Sequence, residues 1–186
     1  MIFLPTQLDG AWLVRPEPKR DSRGFFARTW CREEYAAMNL DSHVEQQSLS
    51  HTSACGALRG LHFQREPDSE TKIVRCIRGA IFDVIVDLRP LSPTYLKWAA
   101  FELTAENRDS LYIPKGFAHG YQTLATDCEV AYQMSEPYVP RAAAGFRHDD
   151  PAFAIDWPLP VSDISDRDRR WPDFPGPFRV CSRGHP

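Results

Sequence analysis

Alternation of period two dominates the chain. From Ile81 to Leu88 (IFDVIVDL), Phe82, Val84, Val86 and Leu88 share one face, and Ile81, Asp83, Ile85 and Asp87 share the other. Two carboxylates among apolar residues on that second face predict a strand with one face in a core and the other near a polar cavity. Cys128 to Met134 (CEVAYQM) sets Cys128, Val130, Tyr132 and Met134 against Glu129 and Gln133. Further strands are predicted at Ala11–Val14, Ala57–Phe63, Lys72–Arg78, Trp98–Leu103 and Ser110–Ile113. The turn signals Arg89-Pro90, Ser92-Pro93 and Pro114-Lys115-Gly116 fall between them. One helix is predicted, Cys31–Leu40, with Glu33 and Glu34 early, where the helix dipole favours acids. The stretch from Asp156 onward, rich in Pro, Asp and Trp, reads as a wrapping loop with one helical turn near Ser165–Arg169. Many short strands at close spacing predict a sandwich or barrel. No repeat or domain boundary interrupts them, so residues 1–186 read as one domain.

Composition sharpens this picture. Sixteen prolines in 186 residues are close to double the usual share of about 5%, which favours short strands and tight loops over helices. A hydrophobic content of 42% supports a full core and excludes disorder. The net charge of −3 excludes wholesale binding along a nucleic-acid backbone, so any phosphate contact rests on a few placed arginines. No apolar run reaches the roughly 18 residues of a membrane span and no signal-peptide pattern opens the chain, so a cytoplasmic protein is expected. The five cysteines (Cys31, Cys55, Cys76, Cys128, Cys181) are scattered and read as free thiols in a reducing compartment.

Two segments carry candidate chemistry. In Leu58-Arg59-Gly60-Leu61-His62-Phe63-Gln64 a permanent cation and an imidazole stand three residues apart around a glycine. Strict alternation sends Arg59 and His62 to opposite faces; both point inward only if Gly60 forms a bulge. In Pro114-Lys115-Gly116-Phe117-Ala118-His119-Gly120 the spacing P-x-G-x-x-H resembles the second motif of the cupin barrels. Metal-binding cupins carry H-x-H in their first motif. Here His62 is followed by Phe63 and Gln64, so no metal is expected, and a metal-dependent cupin oxygenase or isomerase using His62 and His119 stands as a competing reading.

The resemblance then becomes specific. Asp21-Ser22-Arg23-Gly24-Phe25-Phe26, Leu58 to Gln64, Lys72-Ile73-Val74-Arg75, Asp83 to Arg89 (DVIVDLR), Ser92-Pro93-Thr94, Ile113 to Gly120 (IPKGFAHG) and Ile155-Asp156-Trp157-Pro158 occur in order. Together, from about Pro5 to about Pro172, they resemble the dTDP-4-dehydrorhamnose 3,5-epimerase family, a metal-independent branch of the cupins. The resemblance implies an all-β double-stranded β-helix (jelly-roll) barrel with one or two short peripheral helices, acting without a cofactor. It implies inversion of C3 and C5 of a nucleotide-linked 4-keto-6-deoxyhexose through an enolate, most simply dTDP-4-dehydro-6-deoxy-D-glucose to dTDP-4-dehydro-L-rhamnose. Such chemistry needs a base, an electrophile for the ketone oxygen and a proton donor on the opposite sugar face. By resemblance His62 is the base, Asp168 orients it, Tyr132 is the donor and Lys72 is the cation beside the ketone oxygen.

By the same resemblance Arg59 and His119 line that cavity, Arg23 and Arg59 hold the diphosphate, Phe26 packs on the base, and Tyr138 lies by the diphosphate or base. The Arg23 segment reaches into the neighbouring subunit's site, which implies a homodimer. Neither nucleic acid nor membrane is an expected partner. Arg28 stands where many members have an acid, so it joins the substrate-binding set and predicts an altered hydrogen-bond code at the base. Gln47 completes that set, although spacing allows its neighbour Gln46 equally. A single-carbon epimerase of a CDP- or GDP-linked keto sugar, and a non-catalytic sugar-nucleotide module, are the other readings. His43, His51, His148 and His185 match no motif and read as surface or structural.

Overall fold

The computed structural model describes residues 1–176. In chain order the elements are β1 (Ile2–Pro5), β2 (Trp12–Arg15), β3 (Lys19–Asp21), β4 (Gly24–Phe26), α1 (Arg32–Ala37), β5 (Gln46–Thr52), β6 (Ala57–Gln64), β7 (Lys72–Arg78), β8 (Ala80–Asp87), β9 (Trp98–Thr104), β10 (Ser110–Ile113), β11 (Phe117–Thr123), β12 (Cys128–Met134), β13 (Ala143–Gly145), β14 (Asp163–Ile164) and α2 (Asp166–Arg169). One sheet runs β1-β2-β10-β7-β12-β5 and the facing sheet β13-β6-β11-β8-β9, with β14 added parallel to β6. The β3–β4 hairpin pairs only with itself. The result is an all-β cupin barrel with two short helices.

The main core fills the space between the sheets. Val74, Leu111, Ile113, Cys128 and Val130 of the first sheet meet Ile81, Ile85, Leu103, Phe117 and Tyr121 of the second. Burying each such side chain stabilises the fold by roughly 1.5–3 kcal/mol. The outer faces are covered too. Phe153, Ile155 and Trp157 of the late loop cover Leu61, Val84, Val86 and Ala118, while α1 brings Tyr35 against Val14, Ile73 and Tyr112. Both faces of β8 are therefore buried, which corrects the expectation of a face near a polar cavity. Asp83 is fully buried against His119, and Asp87 turns into the following loop, where Arg89 and Thr94 bind it.

The bulge that Arg59 and His62 need at Gly60 to share a side is present. On β6 and β11, His62 pairs with His119 and Arg59 with Tyr121, so Gly60 and Leu61 together face Gly120 alone. Gly60 has φ +129°, and a Cβ there would stand 2.5 Å from the Gly120 Cα and 3.0 Å from the His119 carbonyl oxygen. Only glycine fits. The extra residue returns Arg59 and His62 to the same side of the sheet, and Gly60 donates its N–H to the Asp168 carboxylate at 3.2 Å.

Candidate active site

A cavity of about 330 Å³ opens between the sheets, walled by Gln46, Ser48, Lys72, Tyr132 and Met134 of the first sheet and by His62, Phe63 and Gln64 of the second. Glu70, Glu136, Tyr138 and Arg167 close its rim. A second cavity of about 290 Å³ adjoins it across the shared residues His62 and Arg167, and Thr52, Arg59 and Asp168 line it. His62 and Tyr132 thus project from opposing sheets into one space.

His62 is oriented from α2. Its Nε2 lies 2.6 Å from the Asp168 Oδ1. A carboxylate only accepts, so the hydrogen sits on Nε2 and Nδ1 is left free as a base. Asp168 is itself fixed: Ser165 caps α2 by accepting the Asp168 N–H at 3.1 Å, and the Trp171 indole donates to Oδ1 at 3.3 Å. Burial pushes the Asp168 carboxyl up, but the hydrogen bonds from His62, Gly60 and Trp171 outweigh it and hold the group below the ordinary aspartate value. It stays charged at neutral pH. At Tyr132 burial is the largest cause and pushes the phenol well above the ordinary value, with the neighbouring Tyr121 hydroxyl and the Asp83 carboxylate adding to the effect. Tyr132 therefore keeps its proton at neutral pH, as a donor must. Lys72 lies in the cavity wall with its ammonium 3.0 Å from Glu70.

The remaining expected residues divide into two groups. Tyr138 lines the cavity, and its backbone N–H donates to the Gln46 side chain at 3.1 Å. Arg59 lines the adjoining cavity and bonds Thr52 and the His51 carbonyl. His119 is buried, bonded to Asp83 at 2.7 Å, its ring edge-on to Tyr132. Gln47 lies on the other face of β5 from Gln46. Alternation along β5 puts Gln46 and Ser48 on the cavity side and Gln47 on the opposite side, beside Arg75 and Thr29. Arg23, Phe26 and Arg28 lie outside both cavities of their own chain. Arg23 and Phe26 are exposed on the β3–β4 hairpin, and Arg28 pairs with Glu34 at 2.7 Å.

His62 and His119 each have Nε2 engaged by a separate carboxylate. Among the described residues no group of three or more His, Cys, Asp or Glu side chains is placed to hold a metal ion. Sequence reasoning missed Glu70, Glu136 and Arg167. Arg167 alone had a signal, as the neighbour of Asp168 in the SDRDR run. It stacks on Trp171 with its guanidinium carbon 5.0 Å from the ring centre.

An imidazole bonded to a buried carboxylate, a phenol and an ammonium thus line one cavity between the two sheets of a cupin-type barrel. The comparisons with known proteins carry this further. The family model for dTDP-4-dehydrorhamnose 3,5-epimerase matches residues 5–175. The enzyme of that name from Methanothermobacter thermautotrophicus is 45% identical over 172 residues, covering 91% of this chain and 92% of its own. The Bacillus anthracis dTDP-4-dehydrorhamnose 3,5-epimerase with TDP and PPi bound superposes with a TM-score of 0.90 at 36% identity, covering 93% of this chain and 99% of that one. The Legionella pneumophila dTDP-6-deoxy-D-glucose-3,5-epimerase in complex with dTDP-4-keto-L-rhamnose gives 0.87 at 33% identity, with 92% of each chain covered. This chain belongs to the dTDP-4-dehydrorhamnose 3,5-epimerase family and is a carbohydrate epimerase of the isomerase class.

Proposed function

We propose that the chain converts dTDP-4-dehydro-6-deoxy-D-glucose to dTDP-4-dehydro-L-rhamnose by inverting C3 and C5 in turn, with His62 as base and Tyr132 as acid. The Nδ1 of His62 removes a proton from a carbon beside the ketone, and the C–H electron pair moves into the enolate, leaving charge on the C4 oxygen. The Lys72 ammonium stabilises that charge. Asp168 steadies the imidazolium, and Tyr132 delivers a proton to the same carbon from the opposite face. The observation that carries this reading is the entry of His62, with its tautomer set by Asp168, and Tyr132 into one cavity from opposing sheets.

The nucleotide part extends along the rim, with Gln46 and Tyr138 near the first cavity and Arg59 in the second. Guanidinium groups suit diphosphate oxygens because they donate in pairs. Arg23, Phe26 and Arg28 belong to this site only in a homodimer, where the exposed β3–β4 hairpin reaches the partner. Its lack of pairing to either main sheet and the 77% exposure of Phe26 support that arrangement. Four free thiols among the described residues suit a cytoplasmic setting, and residues 1–186 act as one domain.

Heavy water tests the reaction. Incubation of dTDP-4-dehydro-6-deoxy-D-glucose with the enzyme in deuterium oxide is expected to give product carrying deuterium at both C3 and C5, read by mass and proton spectra. Deuterium at one carbon alone would make the enzyme a single-carbon epimerase, and none would reject the reading.

A further inference from the structure

One inversion leaves two groups in the wrong state. His62 has gained a proton and Tyr132 has lost one, so a proton must pass from imidazolium to phenolate before the second carbon, or the next substrate, can react. A sugar lying between the two groups blocks the direct path.

The wall behind Tyr132 holds a line of hydroxyls. On β5, Ser48, Ser50 and Thr52 fall at every second position and so share one face of the strand, exposed at Ser48 and buried at Thr52. Tyr132 on β12 stands opposite Ser48, with Ser50 its diagonal neighbour on the strand. Ser50 Oγ is 3.0 Å from the Tyr121 hydroxyl, and that hydroxyl is 3.3 Å from Thr52 Oγ1. Arg59 Nε donates to Thr52 Oγ1 at 3.0 Å. Tyr121 is 1% exposed and Thr52 8%, so the line is shielded until it reaches the second cavity, which Thr52 lines together with His62 and Asp168. That cavity, at about 290 Å³, has room for several waters and polar walls to hold them.

The direction of the line follows from Arg59. A guanidinium only donates, so Thr52 accepts there and its own hydrogen is free to point to Tyr121. Tyr121 then donates to Ser50, and the Ser50 hydrogen is left for Tyr132. Every hydroxyl is ordered toward the group that needs a proton.

We propose that Thr52, Tyr121 and Ser50 form a proton relay that resets the enzyme, carrying to Tyr132 the proton that His62 releases into water of the second cavity. The step balances without any oxidant or co-reactant. The imidazolium N–H breaks, each hydroxyl takes one proton and passes one on, the Tyr132 O–H forms, and the water is regenerated. The relay rests on His62 as base and Tyr132 as donor; its three members position and pass protons without touching the sugar.

Tyr121→Phe tests it, because the ring stays and only the hydroxyl leaves. In deuterium oxide, kcat is expected to fall about tenfold, the shortfall that slow resetting through the substrate side leaves, while KM stays within about twofold. Product with deuterium at one carbon is expected to accumulate early. Ser50→Ala should behave likewise, and the double variant should be no slower than either single one, since the groups act in series. Either variant carries the test should the other fail to fold. Wild-type kcat with no singly labelled product in Tyr121→Phe would overturn the relay, as would additive losses in the double variant. Full inversion by Tyr132→Phe would instead overturn the donor assignment beneath it, so the two failures are distinct.

Discussion

His62→Ala is expected to abolish deuterium exchange at both carbons and to lower kcat by about 10³-fold, or about 4 kcal/mol of transition-state stabilisation. The size follows from the absence of a substitute. Among the residues around the cavity, Glu70 and Glu136 are paired with Lys72 and Lys115, and His119 is turned away onto Asp83. The fold should survive, because Asp168 keeps its bonds from the Gly60 N–H and the Trp171 indole. KM should change little if the base contributes mainly in the transition state. The measurement is deuterium wash-in with purified variant and the keto sugar nucleotide. Exchange at the wild-type rate would mean that the chain binds sugar nucleotides and leaves the chemistry to another group.

Tyr132→Phe should separate exchange from inversion. The variant keeps the base, so a proton is still removed, and the imidazolium can return a solvent-derived deuteron to the face it came from. Label should therefore enter with retention, while inversion falls by about 10²-fold or more. The buried environment that pushes the phenol up makes this contrast sharper, since wild-type Tyr132 is fully protonated across the neutral range. The Phe ring preserves the edge-on packing against His119, so a loss of inversion cannot be laid to a collapsed wall. Loss of exchange and inversion together would assign Tyr132 to enolate stabilisation instead of proton delivery.

How far the sequence reached varies with the physical signal. β12 was legible because it alternates cleanly, and the Gly60 bulge because Arg59 and His62 could not otherwise share a side. The helical turn at α2 was legible from Ser165 and the acids behind it, and it proved to be the clamp that aims Asp168. β11 was read only as a motif: all seven of its residues are buried, so no alternation marks it as a strand. β5 was missed because QQSLSHT is almost wholly polar, and with it went the choice between Gln46 and Gln47, which a one-residue register decides. The placement of His119 behind the wall depends on Asp83, a partner 36 residues away, and no local pattern reveals such a pairing. Glu70 escaped for a related reason, since an acid two residues before a strand lysine reads as surface until the cavity is seen around it.

The central claim is geometric: base and acid attack one sugar ring from opposite sides. A crystal structure of Tyr132→Phe with dTDP-4-dehydro-6-deoxy-D-glucose tests it directly. The account predicts the hexulose ring in the first cavity, its C3 and C5 hydrogens toward His62 Nδ1 within about 3.5 Å, the ketone oxygen on Lys72, and the Phe ring across the opposite face. A sugar bound with His62 and residue 132 on the same face, or lodged away from both, would contradict it.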